Sequence, residues 1–342
     1  MENNLRPLTL GEILDRTAQL YRENFLLFAG IFSLYAGVGL VLNLLLIGLG
    51  LLLKALHMSS SLVLWTTVAA GGLEMLILFL LFGASVAAIS RAVAWVNLGE
   101  PATIRGAYAS VLPQLGRYLW LMFITAFIVY TPIVLLYGGY FGTLMVWGKM
   151  NLLHPDPAAQ QAAMSNPQNA GIFLAASLAF FLLLFPFGFY TVFMSLRYAL
   201  ALPACVVENI KARGALRRAV ALSKGSRGRI FVLGLLIGAI KIGLVLVTQM
   251  FVFIAAFKNH GVLGPGLTAV SQIIAFFTNT FLGPIWATGV TLFYYDQRIR
   301  KEGFDIEWMM QAAGMTAPPA LSALPAEVDP EVAPEDQGSV HE

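Results

Sequence analysis

The sequence predicts an all-α membrane protein, a polytopic helix bundle of six transmembrane helices. The chain of 342 residues is 58% hydrophobic and 11% charged, whereas a soluble domain is typically about 45–50% apolar and about 25% charged. Six apolar stretches each exceed the roughly 20 residues that a helix needs to cross about 30 Å of hydrocarbon. Most of the basic residues lie in alternate gaps between these stretches, as they do in multi-pass membrane proteins.

The apolar stretches are separated by short gaps. They cover residues 25–53, 62–90, 118–147, 171–196, 230–257 and 267–295. Pro132, Pro186 and Pro284 remove backbone hydrogen bonds and are expected to kink the third, fourth and sixth spans. The pair Gly71-Gly72 is a candidate point of division in the second stretch. These breaks favour close helix packing over a functional hinge.

The charge distribution predicts the orientation of the chain. Seventeen of the 21 Lys and Arg residues lie before the first stretch, in the second gap, in the fourth gap or after the sixth stretch. The other gaps hold one Lys each, Lys54, Lys149 and Lys258. Because short loops rich in Lys and Arg stay in the cytoplasm, we expect both termini to be cytoplasmic.

An amphipathic helix is predicted before each odd-numbered span. The first follows Pro7, and Thr9 with Glu12 matches a capping box. The second follows Pro101, and the third begins near residue 212. The second and third share an Arg-Gly-Ala step, at residues 105–107 and 213–215. The sequence therefore predicts three repeats of a cytoplasmic amphipathic helix plus a transmembrane hairpin, at about residues 7–95, 101–200 and 210–298.

Each predicted repeat contains an even number of spans, so the three repeats face the same way. We expect an axis along the membrane normal to relate them. We expect the amphipathic helices to lie on the cytoplasmic surface with their apolar faces in the membrane interface; the alternative is that they pack on the end of the bundle. Residues 1–310 form this membrane domain. Residues 311–342 hold five prolines and six acids without Lys or Arg, a composition typical of a disordered cytoplasmic tail.

Two ionisable residues within the apolar stretches are candidates for an intramembrane polar pair. Lys241 lies twelve residues beyond Arg229, about 18 Å along a helix. A Lys near the centre of the membrane costs about 2.5–3.5 kcal/mol unless it finds a partner or water. Glu74 lies about 25 Å along its helix from Arg91. A pair between Glu74 and Lys241 would mark a polar pathway or ligand site, and the alternatives are a structural ion pair or Glu74 at the outer surface.

The fourth gap is the most basic part of the chain and the leading binding candidate. Its candidate residues are Lys211, Arg213, Arg217, Arg218, Lys224, Arg227 and Arg229. This charge suits anionic lipid headgroups or a protein partner, and it also serves to hold the loop in the cytoplasm. No aromatic-interleaved basic motif of a nucleic-acid binder is present. The predicted partners are membrane lipids, especially anionic headgroups, and a protein in the membrane, without nucleic acid.

The sequence predicts no catalytic residue, no metal site and no cofactor. The zinc-protease HExxH motif, the P-loop and the GxSxG elbow are absent from it. His57, His154 and His260 fall one in each outward loop, but their spacing does not require a metal. The single cysteine, Cys205, has no nearby His in the sequence and is interpreted as a thiol without a chemical role.

Three segments carry a family resemblance. Residues 8–15 read Leu-Thr-Leu-Gly-Glu-Ile-Leu-Asp and continue to Leu-Tyr-Arg-Glu-Asn-Phe at 20–25. Residues 215–218 read Ala-Leu-Arg-Arg, followed by Leu-Ser-Lys-Gly at 222–225, and residues 294–305 read Tyr-Tyr-Asp-Gln-Arg-Ile-Arg-Lys-Glu-Gly-Phe-Asp. Over roughly residues 5–308 the chain resembles the membrane domain of glycerophosphoryl diester phosphodiesterases, a prokaryotic family that also occurs as free-standing proteins.

The resemblance implies a membrane domain without the enzyme chemistry. In fused members of the family a separate soluble barrel carries the phosphodiesterase activity. About 45 residues follow the sixth span of this chain, whereas such a barrel needs about 250 residues. We therefore expect no phosphodiesterase residue at any position of this sequence.

The predicted function is that of a non-catalytic integral membrane module in the inner membrane of a bacterium or archaeon. It would anchor, assemble with or regulate a partner at the cytoplasmic membrane face, because three surface helices face that side without reaction chemistry. The alternative is a transporter or lipid-handling membrane protein, which parallel repeats, kinked spans and Lys241 favour. An enzyme acting on lipid headgroups is the third hypothesis.

Overall fold

The structure is a computed structural model that describes residues 6–151, 166–258 and 265–304, with residues 306 and 310. Within these ranges the regular elements are helices, without a strand. A short 3-10 helix, Leu112–Gln114, joins α4 to α5. The α-helices are α1 (Leu10–Glu23), α2 (Phe25–Ala55), α3 (Ser60–Asn97), α4 (Ile104–Val111), α5 (Leu115–Asn151), α6 (Pro167–Tyr198), α7 (Ala201–Val207), α8 (Ala212–Ser223), α9 (Arg227–Lys258) and α10 (Pro265–Glu302).

Six of the described helices are long and apolar enough to cross a membrane, namely α2, α3, α5, α6, α9 and α10. This confirms the predicted all-α, six-span class. Helix α3 runs without interruption from Ser60 to Asn97, so the pair Gly71-Gly72 does not divide it. Pro132, Pro186 and Pro284 each lie inside a continuous helix, α5, α6 and α10 respectively.

The short helices α1, α4 and α8 begin where the sequence places them. The Thr9 hydroxyl accepts a hydrogen bond from the Glu12 amide, and the Glu12 carboxylate accepts one from the Thr9 amide at 2.7 Å. These reciprocal bonds form the predicted capping box, which satisfies backbone donors that the first helical turn leaves free. Thr103 caps α4 in a similar way by accepting from the Gly106 amide. Lys211 precedes α8 without a side-chain cap.

The apolar faces of these three helices are buried in protein. Helix α1 buries Ile13, Thr17 and Leu20, α4 buries Ala107 and Val111, and α8 buries Ala212, Ala215, Ala219, Leu222 and Ser223. These side chains belong to the same hydrophobic core as side chains of the spans. The three short helices therefore pack on the end of the bundle, which was the alternative to the expected place in the membrane interface. A short helix followed by two long ones occurs three times, with α7 added between α6 and α8. The symmetry axis of the repeat stays a prediction.

Side-chain packing is concentrated at one end of the bundle. We call the end that holds α1, α4, α7 and α8 the proximal end and the other the distal end. Buried side chains of α2 lie between Phe28 and Ala36, those of α3 begin at Ala84, and those of α10 begin at Thr280. From Val41 to the end of α2 every side chain keeps some exposure. The proximal end is thus a packed protein core, and the distal halves present their apolar side chains outward.

Helix α10 is central to this packing. Each successive pair of long helices forms a hairpin, α2 with α3, α5 with α6 and α9 with α10, and α10 also packs along α2 and α3. Gly283 of α10 faces the Phe32 ring of α2, and a Cβ atom at that position would collide with the ring. A glycine is therefore required here for the two helices to approach closely.

Candidate functional site

Four basic side chains on and beside α8 form an exposed surface, which we call the α8 basic face. It consists of Lys211, Arg213, Arg217 and Lys224, all of them exposed. Arg213, Arg217 and Lys224 follow a spacing of four and seven residues, which places them on one side of the helix. Within the described part of the chain none of the four makes an ion pair. The face therefore offers unpaired positive charge on a helix whose other side is fixed in the core.

Arg218, also predicted as a binding residue, is held inside the protein. Its Nε lies 2.9 and 3.0 Å from the two carboxylate oxygens of Glu208, and its Nη2 donates to Glu302 at 2.6 Å. Burial lowers the pKa of Arg218, but hydrogen bonds and charge from Glu302 and Glu208 raise that pKa by more. The Tyr294 hydroxyl donates to Glu208 at 2.6 Å. Arg218 thus joins α8 to α10 and to the residue that follows α7.

Arg229 is engaged in a second network, which is built around the fully buried carboxylate of Asp296. Arg229 donates to Asp296 at 3.3 Å and to the Leu8 carbonyl at 2.8 Å. Arg300 donates to both oxygens of Asp296 at 3.0 Å and to the same carbonyl at 2.5 Å. The Leu8 amide donates to Asp296 at 2.8 Å. This network joins the segment before α1 to the proximal ends of α9 and α10.

Lys301 fixes the C-terminal end of α8. Its ammonium group donates to the backbone carbonyls of Ala221, Leu222 and Lys224, at 2.9, 2.9 and 2.7 Å. These carbonyls lack partners within the helix, and a cation there also interacts favourably with the helix dipole. The end of α10 therefore lies beside the α8 basic face and holds it in place.

Arg227, the remaining residue of the seven predicted, packs against an aromatic ring. Its guanidinium carbon lies 5.0 Å from the centre of the Phe193 ring, a distance that permits a cation–π interaction. Its Nε is buried and has no hydrogen-bond partner among the described residues. The structure therefore leaves Lys211, Arg213, Arg217 and Lys224 for an external partner and gives Arg218, Arg229 and Arg227 contacts within the protein.

The two predicted intramembrane residues have separate environments. The Glu74 carboxylate of α3 accepts a short hydrogen bond from the side-chain amide of Asn43 on α2. Lys241 of α9 lines a cavity instead. No ion pair joins Glu74 to Lys241 in the described part of the chain. The Asn43 side chain on the adjacent helix is the partner of Glu74, whereas none of the described residues makes a hydrogen bond or ion pair with Lys241.

The cavity beside Lys241 contains residues that sequence reasoning missed. Tyr35, Asn279 and Trp286 line it together with Lys241. Charge was the criterion applied to the apolar stretches, so uncharged polar side chains escaped notice. A search for amide side chains in those stretches would have found both Asn43 and Asn279.

The described residues provide no catalytic or metal-binding cluster. Groups of three or more His, Cys, Asp or Glu able to hold a metal ion are absent from them. His57 is among these residues, whereas His154 and His260 lie outside them, as does the predicted acidic tail at 311–342. The buried Cys205 thiol donates to the Ile210 carbonyl at 3.2 Å.

Comparison of the chain with protein-family models, with curated proteins and with solved structures finds no match. The resemblance to the membrane domain of glycerophosphoryl diester phosphodiesterases therefore stays a prediction. In the structure, each of the three segments that carry it contributes a polar residue with an intramolecular contact. These residues are Glu12 in the capping box, Arg218 in the Glu208 network and Asp296 in the Arg229 network.

Proposed function

We propose that this protein is a non-catalytic integral membrane module that assembles with a protein partner at the cytoplasmic side of the membrane. The proximal end is assigned to the cytoplasm because it collects most of the basic residues of the chain. The observation that carries the proposal is the α8 basic face, where four exposed cations lack ion pairs within the described residues. Because Lys301 and the Arg218 network fix α8, the face is ordered before a partner binds.

The composition of the exposed side of α8 favours an acidic protein segment over lipid headgroups. A helix that binds a membrane surface inserts apolar side chains between the headgroups. The apolar side chains of α8 are buried in the protein core, and its exposed side carries Gly214 and Ala221 between the basic residues. Phosphates and carboxylates can both bind the two arginines with paired, directional hydrogen bonds, so the missing apolar anchor is what favours an acidic protein segment over lipid.

Site-specific photo-crosslinking of the full chain in its native membrane tests this proposal. A photoreactive amino acid at position 217 is expected to give a protein adduct. The charge reversals Arg213→Glu and Lys224→Glu, made together, should abolish the adduct because they replace attraction with repulsion. A matched control reverses Arg22 and Arg105, two exposed arginines of α1 and α4, which changes the net charge equally. This control should keep the adduct.

Two results would overturn the proposal. Adducts with lipid alone at position 217 would show that the face contacts headgroups. Equal loss of the protein adduct in the control would show that only the net charge of the proximal end matters. A genuine contact with an acidic segment should also weaken as salt is raised from low to physiological concentration, because salt screens exposed charges.

A further inference from the structure

A cavity of about 390 Å³ lies among α2, α3, α9 and α10. The rings of Phe32 and Phe82 form part of its wall, and Gly234 and Gly238 of α9 leave room for it. Small-molecule sites typically measure about 300–1,000 Å³. The cavity therefore has room for one small ligand or for the polar end of a larger one.

Each polar side chain that lines the cavity has a hydrogen-bond donor that is not paired with a described residue. They are the Lys241 ammonium, the Asn279 amide, the Tyr35 hydroxyl and the Trp286 indole, each of which offers at least one N–H or O–H group. Within the described part of the chain none of the four makes a hydrogen bond to protein, and no carboxylate lines the cavity. Lys241 and Trp286 are exposed and Tyr35 and Asn279 are half-buried within the protein. Inside a membrane, however, a donor without a partner is costly, so this cavity is suited to an acceptor with negative charge.

The position of the cavity determines how a ligand reaches it. Lys241 lies twelve residues along α9 from Arg229, which contacts Asp296 at the proximal end, so it is about 18 Å into the bundle. The four helices around the cavity are all candidate spans. Phe82 and Trp286 keep 38% and 40% of their surfaces exposed, so the cavity is open on the side of the hydrocarbon. A ligand would enter laterally from the lipid.

We propose that this cavity binds a carboxylate amphiphile with a single acyl chain, a lipid of the fatty-acid type. Its carboxylate would pair with Lys241 and accept hydrogen bonds from Asn279 and the neighbouring donors. One cation matches one negative charge. The headgroup of an anionic phospholipid carries the same charge, but it resides at the membrane surface, about 18 Å from Lys241 along the helix axis. A fatty acid can reach this depth as its neutral, protonated acid, whereas a phosphodiester headgroup stays charged, so the depth of Lys241 favours the single-chain carboxylate.

Two glycines of α9 provide a matched pair of variants. A Cβ atom at Gly238 would meet no protein atom within 4 Å, and Gly238 lines the cavity, so Gly238→Leu should place its side chain in the space that the ligand would occupy. Gly243 is also open at Cβ and does not line the cavity. Gly243→Leu therefore controls for a bulky residue at a glycine of the same helix. Lys241→Met removes the cation and retains a long side chain.

Binding of radiolabelled palmitate to the full chain in neutral phosphatidylcholine nanodiscs tests the proposal. We expect saturable binding of one palmitate per chain. Lys241→Met and Gly238→Leu should each weaken it by at least about tenfold, because a charge-assisted hydrogen bond or the space for the ligand is lost. Gly243→Leu should stay within about twofold of the unmodified protein. The methyl ester of palmitate, which lacks the charge, should compete poorly.

Several outcomes would overturn this inference. They are an absence of saturable binding, unchanged affinity in Lys241→Met, equal loss in Gly243→Leu and efficient competition by the methyl ester. Displacement of palmitate by phosphatidylglycerol in the nanodisc would assign the site to phospholipid headgroups instead. If a variant fails to fold, labelling of the unmodified protein with a diazirine analogue of palmitate decides, since the label should fall on α9 or α10 near Lys241 and Asn279.

This inference does not rest on the α8 basic face. The paired reversal of Arg213 and Lys224 should leave palmitate binding unchanged, and Lys241→Met should leave the crosslink at position 217 unchanged. Failure of one proposal is thereby distinguished from failure of the other.

Discussion

Replacing Asp296 should destabilise the proximal end of the bundle more than any exposed acidic substitution. Its carboxylate is fully buried and accepts hydrogen bonds from the Leu8 amide, Gln297, Arg229 and Arg300. Asp296→Ala removes the acceptor for all four donors, and Asp296→Asn leaves one carbonyl oxygen. We therefore expect the alanine variant to be less stable than the asparagine variant, and both to be less stable than the unmodified protein.

The size of the loss follows from the exposure of each donor. The bond from the Leu8 amide to a buried carboxylate is charge-assisted and is worth about 1.5–3 kcal/mol. The side chains of Arg229 and Arg300 are 32% and 35% exposed, so each ion pair is screened by solvent and contributes about 1 kcal/mol or less. Asp296→Ala should thus cost about 2–4 kcal/mol, and Asp296→Asn about half of that.

Thermal unfolding in neutral-lipid nanodiscs, combined with hydrogen exchange of the backbone, measures this effect. The segment from Leu8 through α1 should exchange faster in the Asp296 variants, because the bond that ties it to α10 is missing. Asp15→Ala, on the exposed side of α1, serves as the control. If Asp296→Ala unfolds at the same temperature as this control, the network does not hold α1 in place, and the reasoning is refuted.

Three further changes have defined outcomes. Hydrogen bonds with the Thr9 backbone, with the Thr9 side chain and with Arg6 lower the pKa of Glu12 from 4.5 to about 2, so its contribution to stability is present above pH 4.5 and is lost as the pH falls towards 2; Glu12→Gln should remove this pH dependence of the melting temperature. Gly283→Ala should cost about 1–3 kcal/mol in unfolding free energy, because its Cβ forces the buried Phe32 ring to move, whereas Gly48→Ala, which is open at Cβ, should not be destabilising. Deleting residues 311–342 should raise the crosslinking yield at position 217, because these residues follow Glu302, which contacts α8, in the sequence and carry six acids that could compete for the α8 basic face; an unchanged yield would exclude this competition.

Hydrophobic length and capping chemistry made the elements of the fold predictable. Each span is specified locally, since about 20 apolar residues suffice to define it. The capping box at Thr9 and Glu12 is likewise a contact between residues close in sequence. The 3.6-residue period predicted an apolar face on each of α1, α4 and α8, but the period alone does not show whether that face contacts lipid or protein. The structure supplies that information through contacts such as Tyr21 with the Phe281 carbonyl, which join distant parts of the chain.

The candidate sites were only partly predictable because pairing depends on long-range contacts. The basic segment was evident from the sequence, but its division into exposed and engaged residues was not. Arg217 and Arg218 are neighbours, yet Arg217 is exposed and Arg218 binds Glu302, 84 residues away. Glu74 and Lys241 were linked by their rarity in apolar stretches, whereas the partner of Glu74 is the uncharged Asn43. Charge alone therefore does not predict which intramembrane groups meet.

Pairing within the protein is what distinguishes the structural polar groups from the two proposed sites. Asp296 lies at the proximal end with four donors around its carboxylate, and Glu74 has Asn43. Lys241 lies on an apolar span and has no such partner among the residues that the structure describes, although an unpaired cation is most costly there. Glu74, the other candidate residue of the intramembrane pair, has a hydrogen-bond partner in the protein. We infer that Lys241 is left for an acceptor from outside the chain. The α8 basic face is likewise left for an external partner. Leaving its charges unpaired costs less free energy, because water solvates them until a partner binds.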